Sequence, residues 1–340
     1  MRENLLAMTK PTALCLMEPE MFVELFDAAD RARLENSLSF IAPPYAARNY
    51  AELGEALARV EVLVGTWRFP RMTEAFLTQF PALKILFYVA GSVREKATPA
   101  SWARPVRIVT AAAANAVPVA EFTFAQIVLG LKQVWASVDL GRRERRFVKM
   151  PVVSAGTFRS TVALLGLGHI GRLVAERLRT LAVNVIAYDP MVPPESARAL
   201  GVTLCSLEDA FRTADLVSCH LPYLPATTRM IRGHHFSSMK PHAVFLNTAR
   251  GEVTDEAELF AVLKARPDLT ALIDVLCNED PTALSPLHAL PNAYITPHIA
   301  GSMGREWHRM GLTVAEEVER YVAGAPLLHE LTQEKAAHSA

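Results

Sequence analysis

Short apolar runs alternate along this chain with stretches in which apolar residues recur every three or four positions. The runs are rich in β-branched residues and read VEVLVGT, LKILFYVA, TVALLGLG, NVIAYDP, DLVSCHLP, HAVFLNTA, LTALIDVL and NAYITPH. Such continuously apolar strands are typical of a parallel sheet that is covered by helices on both faces. Helical periodicity between the runs predicts crossover helices at residues 170–181, 207–213 and 255–265. The pattern therefore predicts an α/β fold built on parallel sheets.

The position of a glycine-rich strand–turn–helix divides the chain. It starts only at Gly166, about halfway along the 340 residues, so the α/β pattern before it needs a sheet of its own. Long helical stretches at residues 117–141 and 302–323 flank the second half. We expect two doubly wound parallel-sheet domains: a Rossmann dinucleotide-binding domain at residues 111–301, inserted in a flavodoxin-like substrate domain at residues 1–110 and 302–340.

Composition narrows the classes of partner. Lys+Arg and Asp+Glu balance at 35 each, so the chain lacks the basic excess that nucleic acids or anionic membranes require. Cys15, Cys205, Cys219 and Cys277 are scattered in apolar runs, which argues for a reducing compartment and against disulfides or a zinc site. MRENLLAMTK lacks a secretory apolar region, and polar residues interrupt the apolar stretch 117–138. We expect a cytoplasmic protein without a metal.

The glycine-rich segment TVALLGLGHIGRLVAERL has the order and spacing of a dinucleotide-binding turn. Gly166 permits the tight turn, Gly168 lets the backbone approach a pyrophosphate, and Gly171 lets helix and strand pack closely. His169 and Ile170 fill the variable positions, where we expect His169 to face solvent. The following helix presents free N–H groups and a partial positive charge to phosphates.

The next strand, in NVIAYDP, ends in Asp189, which lies 18 residues after Gly171. An acidic residue about 20 residues after the glycines accepts hydrogen bonds from the adenine ribose. The carboxylate would repel a 2′-phosphate, and no arginine follows directly to bind one. We therefore expect NAD in preference to NADP, the alternative being that Asp189 only caps a turn.

Polar side chains with complementary chemistry follow three later strands: Arg250, Glu279 and His298. Histidine titrates near neutral pH and can exchange the proton that accompanies hydride transfer. A carboxylate on its second ring nitrogen would fix the tautomer, and a guanidinium would bind a substrate carboxylate. Singly these residues could be a surface ion pair, a turn cap and a loop histidine. Together, downstream of a nucleotide motif, they favour a catalytic site.

Residues 111–301 resemble the D-isomer-specific 2-hydroxyacid dehydrogenase family. The similar blocks are AAAANAVPVAEFTFAQIVLGL, GLGHIGRLVAERL, SCHLPYLPATTRMI, NTARGEVTDEAELFAVL and ALIDVLCNEDPTALSPLHALPNAYITPHIAGS. The resemblance implies a reversible, NAD(H)-linked interconversion of a 2-oxo acid and an (R)-2-hydroxy acid. It implies His298 as the acid/base, Glu279 as its orienter and Arg250 as the anchor of the substrate carboxylate and carbonyl.

The resemblance also implies cofactor contacts and a partner. Asp274 would contact the nicotinamide carboxamide, and the other residues expected at the cofactor are His220, Thr228, Ala249 and Gly301. The helix at residues 117–141 forms the dimer interface in this family, so we expect a homodimer.

The chain departs from the family in the expected substrate loop, which reads VAGSVRE. Gly91 and Ser92 would still offer main-chain N–H groups to a substrate carboxylate, but Arg94 adds a cation. Trp67 and Arg68 follow another strand of the same domain. They suggest a substrate larger or more anionic than lactate, the alternative being surface residues without a role. The run LCNED replaces the family's FEPEP-like run but keeps the glutamate.

Other functions on this fold remain in competition. A non-enzymatic NAD-sensing regulator, similar to the C-terminal binding protein corepressors, would keep the same three side chains. Formate dehydrogenases carry glutamine where this chain has Glu279, which argues against them. Phosphoglycerate dehydrogenases with a C-terminal regulatory module are not expected, since the printed chain ends soon after the last predicted helix.

Overall fold

The computed structural model describes residues 10–44, 49–149 and 152–338. Residues 1–9, which bear on the expectation about a secretory signal, lie outside this part. The chain divides into two compact units, Met1–Asn115 with Ser302–Ser339, and Ala116–Gly301. The boundary that we place near residue 110 thus falls at 115–116 in this division. Each unit contains a parallel sheet with helices, and the predicted α/β class with two parallel sheets is confirmed.

The described strands are β1 (Thr12–Leu16), β2 (Ser39–Phe40), β3 (Val62–Gly65), β4 (Ile85–Tyr88), β5 (Arg107–Thr110), β6 (Thr161–Leu165), β7 (Asn184–Tyr188), β8 (Thr203–Leu204), β9 (Leu216–Cys219), β10 (Val244–Asn247), β11 (Thr270–Ile273) and β12 (Ala293–Ile295). Each of the eight apolar runs in the sequence contains one of them. The described α-helices are α1 (Pro19–Leu25), α2 (Ala28–Ser37), α3 (Glu74–Thr78), α4 (Pro99–Trp102), α5 (Ala112–Leu131), α6 (Val134–Glu144), α7 (His169–Leu178), α8 (Pro194–Ala199), α9 (Leu207–Thr213), α10 (Gly233–Ser237), α11 (Glu256–Ala265), α12 (Trp307–Val322) and α13 (Gln333–His338). Short 3₁₀ helices lie at Tyr50–Arg59, Gly251–Val253, Pro286–Ala289 and Gly304–Glu306.

The first unit contains a sheet in the order β2-β1-β3-β4-β5, with all neighbours parallel. This is the flavodoxin-like strand order. The C-terminal segment belongs to this unit because α12 packs against α1 and α2. A Cβ at Gly311 would lie 1.9 Å from the carbonyl oxygen of Leu25. Arg33 of α2 pairs with Glu319 of α12 at 2.8 Å, so packing and charge both hold the segment.

The second unit contains a seven-stranded sheet in the order β12-β11-β10-β9-β6-β7-β8, again with parallel neighbours. Counted from β6, this is the Rossmann order with one added strand. The strand order reverses between β6 and β9. The carboxyl ends of strands at such a switch point form the crevice where open α/β sheets bind ligands.

The prediction of one helix at residues 117–141 is wrong. The helix α5 ends at Leu131 and α6 begins at Val134, with Gln133 between them at a φ of 52°. The buried Gln133 amide donates to the carbonyl of His242 at 2.9 Å and accepts from the Thr270 hydroxyl at 3.0 Å. These long-range hydrogen bonds stabilise the left-handed backbone, and local periodicity carries no sign of them.

Among the described helices, α5 is the one long and apolar enough in composition to cross a membrane. Its Thr123 hydroxyl lies 2.9 Å from that of Thr248, and its residues Ala120, Ile127 and Leu131 are buried against the sheet of the second unit. The helix therefore packs as a core element of that unit.

Candidate active site and cofactor site

His298 and Glu279 follow two neighbouring strands and meet beyond their carboxyl ends. His298 lies three residues after β12, and Glu279 lies six residues after β11. Nδ1 of His298 is 2.8 Å from Oε2 of Glu279, and the two side chains are 48% and 42% exposed. A carboxylate at Nδ1 fixes the ring tautomer and stabilises the imidazolium. The pair can therefore exchange a proton through Nε2 with a bound molecule.

The loop that carries His298 is held by Asp274, which follows β11 and is 3% exposed. Its Oδ1 accepts hydrogen bonds from the Thr296 hydroxyl at 2.5 Å and from the Ile299 N–H at 3.0 Å. Its Oδ2 accepts from the Ala300 N–H at 2.9 Å, and its carbonyl accepts from the His298 N–H at 2.9 Å. His298 itself has a φ of 53°, a conformation that a side chain other than glycine adopts only when its surroundings impose it. Asp274 supplies that constraint.

Arg250 lies three residues after β10, the third of the adjacent strands. Its carbonyl accepts from the side-chain amide of Asn247 at 3.0 Å, and the Asn247 oxygen accepts from the Ala249 N–H at 3.0 Å. Asn247 is 2% exposed, so a buried amide shapes the turn that presents the guanidinium. Nη1 of Arg250 donates to the carbonyl of Ala249 at 2.7 Å.

Gly251 brings this turn against the loop that leads to Glu279. A Cβ at Gly251 would lie 2.1 Å from the carbonyl carbon of Leu276 and 2.3 Å from the nitrogen of Cys277. The N–H of Leu276 also faces Oε1 of Glu279 at 3.3 Å. Arg250, Glu279 and His298 therefore lie around one edge of the sheet, with a direct contact between the last two.

The glycine turn after β6 leaves room in front of its backbone. Gly166 has a φ of 97°, and a Cβ there would lie 3.0 Å from the carbonyl of His220. A Cβ at Gly171 would lie 2.1 Å from the carbonyl of Gly166, so α7 packs tightly on the turn. At Gly168 a Cβ would meet nothing within 4 Å, which leaves open space in front of the backbone. The turn is therefore closely packed at Gly166 and Gly171 and open at Gly168.

Asp189 is half-buried after β7 and holds the glycine turn. Its Oδ2 accepts from the Leu167 N–H at 2.7 Å and its Oδ1 accepts from the Met191 N–H at 2.9 Å. A carboxylate has about four acceptor sites, so two remain for the hydroxyls of a ribose.

His220 lies at the switch point, directly after β9. Its Nε2 is 3.0 Å from the Ser218 hydroxyl, whereas its buried Nδ1 has no hydrogen-bond partner. Burial lowers the pKa of His220 to about 4, so the ring is neutral at pH 7. A buried polar atom without a partner at the edge of a nucleotide cleft fits a group that bonds to the cofactor.

The remaining residues expected at the cofactor are accounted for by position. His169 is exposed, as expected, Ile170 is half-buried, and both lie in the first turn of α7. Thr228 donates its hydroxyl to the carbonyl of Leu224 at 2.8 Å. Gly301 is half-buried after the His298 loop.

The residues expected at the substrate lie in the first unit, beyond the carboxyl ends of β3 and β4. Gly91 and Ser92 are half-buried, and the Ser92 hydroxyl accepts from the N–H of Arg94 at 3.3 Å. Trp67 is 42% exposed, and the guanidinium of Arg68 lies 3.9 Å from Glu18. The loop after β3 and the loop after β4 thus belong to adjacent strands of one sheet.

The four cysteines are free, and burial raises the pKa of the Cys277 thiol to about 12. A thiol so poorly ionised is a weak nucleophile, although it lies two residues from Glu279. Among the described residues, no three His, Cys, Asp or Glu side chains are placed to hold a metal ion.

Sequence reasoning missed several residues that shape these sites. Asn247 and Thr296 are polar residues at strand ends. The same feature led to the prediction of Arg250 and His298, so it could have indicated these two as well. Asn115 is a single amide in the apolar run AAAANAVP, and its Oδ1 accepts from the N–H of Ser302 at 3.0 Å. Trp307 gave no local signal, since one aromatic residue at a helix start is common.

The fold and the site define a class of protein: a two-unit α/β protein with a Rossmann nucleotide site and a histidine–carboxylate pair beside it. Residues 127–300 match the sequence model of the NAD binding domain of D-isomer specific 2-hydroxyacid dehydrogenases, which is half of the chain. The chain belongs to the D-isomer specific 2-hydroxyacid dehydrogenase family. The predictions of the family and of NAD as the cofactor are thereby confirmed.

Among similar proteins is the D-3-phosphoglycerate dehydrogenase of Mycobacterium tuberculosis (strain H37Rv), which is 35% identical over 248 residues, 73% of this chain and 47% of the relative. The chloroplastic D-3-phosphoglycerate dehydrogenase 2 of Arabidopsis thaliana is 36% identical over 221 residues, 64% of this chain and 35% of the relative. The chain thus spans half or less of the length of these curated relatives.

Solved structures share the fold. A phosphoglycerate oxidoreductase from Rhizobium etli superposes with a TM-score of 0.76 at 23% identity, covering 94% of this chain and 97% of the other. The NAD-complexed D-isomer specific 2-hydroxyacid dehydrogenase from Lactobacillus delbrueckii ssp. bulgaricus gives 0.77 at 22% identity, covering 95% and 100%.

Proposed function

We propose that this protein is an NAD(H)-dependent oxidoreductase that interconverts a 2-oxo acid and an (R)-2-hydroxy acid. The observation that carries this proposal is the 2.8 Å contact between His298 Nδ1 and Glu279 Oε2, on loops that follow adjacent strands of the NAD-binding unit. A histidine oriented by a carboxylate is suited to proton transfer. The NAD-binding domain that matches the family would hold the NAD(H) that takes part in hydride transfer.

Each of the three side chains takes a distinct step in this proposal. NAD(H), when bound, donates or accepts the hydride. In the direction of reduction, His298 Nε2 gives a proton to the carbonyl oxygen of the substrate, and Glu279 stabilises the imidazolium before that transfer. Arg250 binds the substrate carboxylate and polarises the adjacent carbonyl. For the first unit, the expected binding of a substrate carboxylate by the main-chain N–H groups of Gly91 and Ser92 stays a proposal.

Gly166, Gly168 and Gly171 would hold the pyrophosphate, and Asp189 would accept the ribose hydroxyls. The unpartnered Nδ1 of His220 supports a cofactor contact at the switch point. The carboxylate of Asp189 would repel a 2′-phosphate, so we propose a preference for NAD over NADP.

We also propose that the protein is a homodimer and that it works in the cytoplasm. The support for a dimer is a cavity of about 330 Å³ beside α5 and α6, whose mixed lining includes Phe122, Trp135 and Val138 together with Asp139 and Arg142. Val138 is 41% exposed. A partner helix would cover this surface, and sedimentation of a Val138→Arg variant as a monomer would agree with that role.

The test of the function is reduction of a panel of 2-oxo acids by NADH and by NADPH. We expect NADH-linked turnover of at least one of glyoxylate, pyruvate, hydroxypyruvate and phenylpyruvate. His298→Ala removes the proton donor and should lower kcat by about 100-fold to 10,000-fold, while NADH still binds. Unchanged turnover would contradict the role of His298. Binding of NADH with no turnover of any acid would favour the NAD-sensing regulator instead.

The cofactor preference has its own test. Asp189→Ala removes the ribose acceptor and the negative charge, so the ratio of kcat/KM with NADH to that with NADPH should fall. An unchanged ratio would contradict the ribose contact.

A further inference from the structure

Two tryptophans of the first unit form an aromatic pair that the proposed chemistry does not use. Trp67 follows β3, and Trp307 is the first residue of α12. Their ring centroids lie 6.2 Å apart, and the ring planes are tilted by 55°. Trp67 is 42% exposed, so the pair presents a large apolar surface.

Trp307 is the member of the aromatic pair that its surroundings hold in place. The Trp307 indole N–H donates to the carbonyl of Ser302 at 2.6 Å, and its ring packs against the core cluster that contains Phe26 and Met310. With its polar atom satisfied and its ring held, Trp307 offers a fixed surface that costs little conformational entropy to use.

A continuous set of contacts joins the aromatic pair to the proposed carboxylate-binding loop. The Trp307 indole bonds to Ser302, whose N–H donates to Asn115, and a Cβ at Gly91 would lie 3.3 Å from Asn115 Nδ2. On the other side, the hydroxyl of Thr66, which precedes Trp67, donates to the carbonyl of Val89 at 3.0 Å. Gly91 and the aromatic pair are therefore neighbours within one unit.

The ion pair beside Trp67 has no net charge that would attract an anionic substrate group. The Arg68 guanidinium is 78% exposed and lies 3.9 Å from the carboxylate of Glu18. A phosphate at this position would meet the negative charge of Glu18 together with the positive charge of Arg68. An uncharged ring would not be repelled by Glu18, and it would bury apolar surface against the aromatic pair.

We propose that the aromatic pair of Trp67 and Trp307 binds the side chain of the substrate, and that the preferred substrate is a 2-oxo acid with an aromatic side chain. This proposal rests on the proposed function. A third ring can pack on a tilted aromatic pair at centroid distances of about 4.5–7 Å. The carboxylate of such a substrate would lie at Gly91 and Ser92, and its ring at Trp67.

The test compares phenylpyruvate with glyoxylate, which has no side chain, and with hydroxypyruvate 3-phosphate, which is anionic. In the wild-type protein kcat/KM with NADH should be highest for phenylpyruvate. Trp67→Ala should lower the ratio of kcat/KM for phenylpyruvate to that for glyoxylate by about tenfold or more, the loss expected for an aromatic contact. Trp67→Phe should restore most of the ratio. Phe147→Ala, at an aromatic residue that is 87% exposed in the second unit, should leave it unchanged.

Two results would overturn the aromatic proposal while leaving the proposed function intact. One is a preference for hydroxypyruvate 3-phosphate that is lost in Arg68→Ala or Arg94→Ala. The other is an equal ratio in Trp67→Ala and the wild type. If no acid is reduced, the proposed function fails, and calorimetric titration of the NADH-containing protein with phenylpyruvate decides the aromatic proposal. Binding at least tenfold weaker in Trp67→Ala would support it, and no binding, or equal binding, would overturn it.

Discussion

The Asp274→Asn substitution tests whether the loop of His298 is held by one buried carboxylate. The change keeps the shape of the side chain but replaces one acceptor oxygen by an NH₂ group. If the amide oxygen stays with Thr296 and Ile299, the NH₂ group faces the N–H of Ala300, and two donors oppose each other.

The magnitude follows from the three hydrogen bonds. Bonds to charged groups contribute about 1.5–3 kcal/mol and neutral ones about 0.5–1.5 kcal/mol, so two bonds each weaken by about 1 kcal/mol. The third is lost and leaves a buried N–H without an acceptor, which costs about 1–3 kcal/mol. We therefore expect the free energy of unfolding to decrease by about 3–5 kcal/mol. For a unit of this size, this corresponds to a fall in Tm of about 6–20 °C.

Scanning calorimetry measures this loss. The transition to follow is the one whose Tm rises when NADH is added, because a bound ligand stabilises the unit that contains its site. The control is Thr296→Val, which removes one hydrogen bond to the carboxylate and should cost about 1.5–3 kcal/mol, less than Asp274→Asn. His298 stands at a φ of 53° and should relax once the constraint weakens, so kcat should fall more than the affinity for NADH. A Tm within about 2 °C of the wild type, or equal losses in the two variants, would refute the reasoning.

Two further predictions concern the cofactor cleft. Gly171→Ala should destabilise the second unit, because its Cβ would lie 2.1 Å from the Gly166 carbonyl, whereas Gly168→Ala meets nothing within 4 Å and should weaken NADH binding with little change in Tm. Calorimetry and NADH fluorescence titration separate these effects, and similar behaviour of the two variants would contradict the assigned roles. Burial lowers the pKa of His220 to about 4, against about 6.5 in an unfolded chain. As the pH falls below 6.5, the unfolded state takes up a proton before the folded state does. The free energy of unfolding therefore decreases, by at most about 3 kcal/mol, between pH 6.5 and pH 4. Urea unfolding of His220→Gln should show a smaller loss across this range, and an identical pH dependence would contradict it.

The strands and the nucleotide turn could be predicted from the sequence because their signals are local. The apolar runs gave each of the eight predicted strands, and the spacing of Gly166, Gly168 and Gly171 gave the turn. The separation between the last glycine and Asp189 follows from the length of one helix and one strand, which is similar among units of this kind.

The single helix predicted at residues 117–141 failed for the opposite reason. Its break at Gln133 is held by hydrogen bonds to His242 and Thr270, more than 100 residues away. Residue periodicity reports which face of a segment is buried, but it carries no information about distant partners that stabilise a strained backbone.

The candidate site divides in the same way. Arg250, Glu279 and His298 could be picked out in the sequence because each stands after an apolar run. The 2.8 Å distance between Glu279 and His298, the support of their loop by Asp274 and the contact of Trp67 with Trp307 came from the folded structure. Strand order and loop contacts depend on packing between segments far apart in the chain, whereas the alternation of apolar and polar residues records only the local environment of each segment.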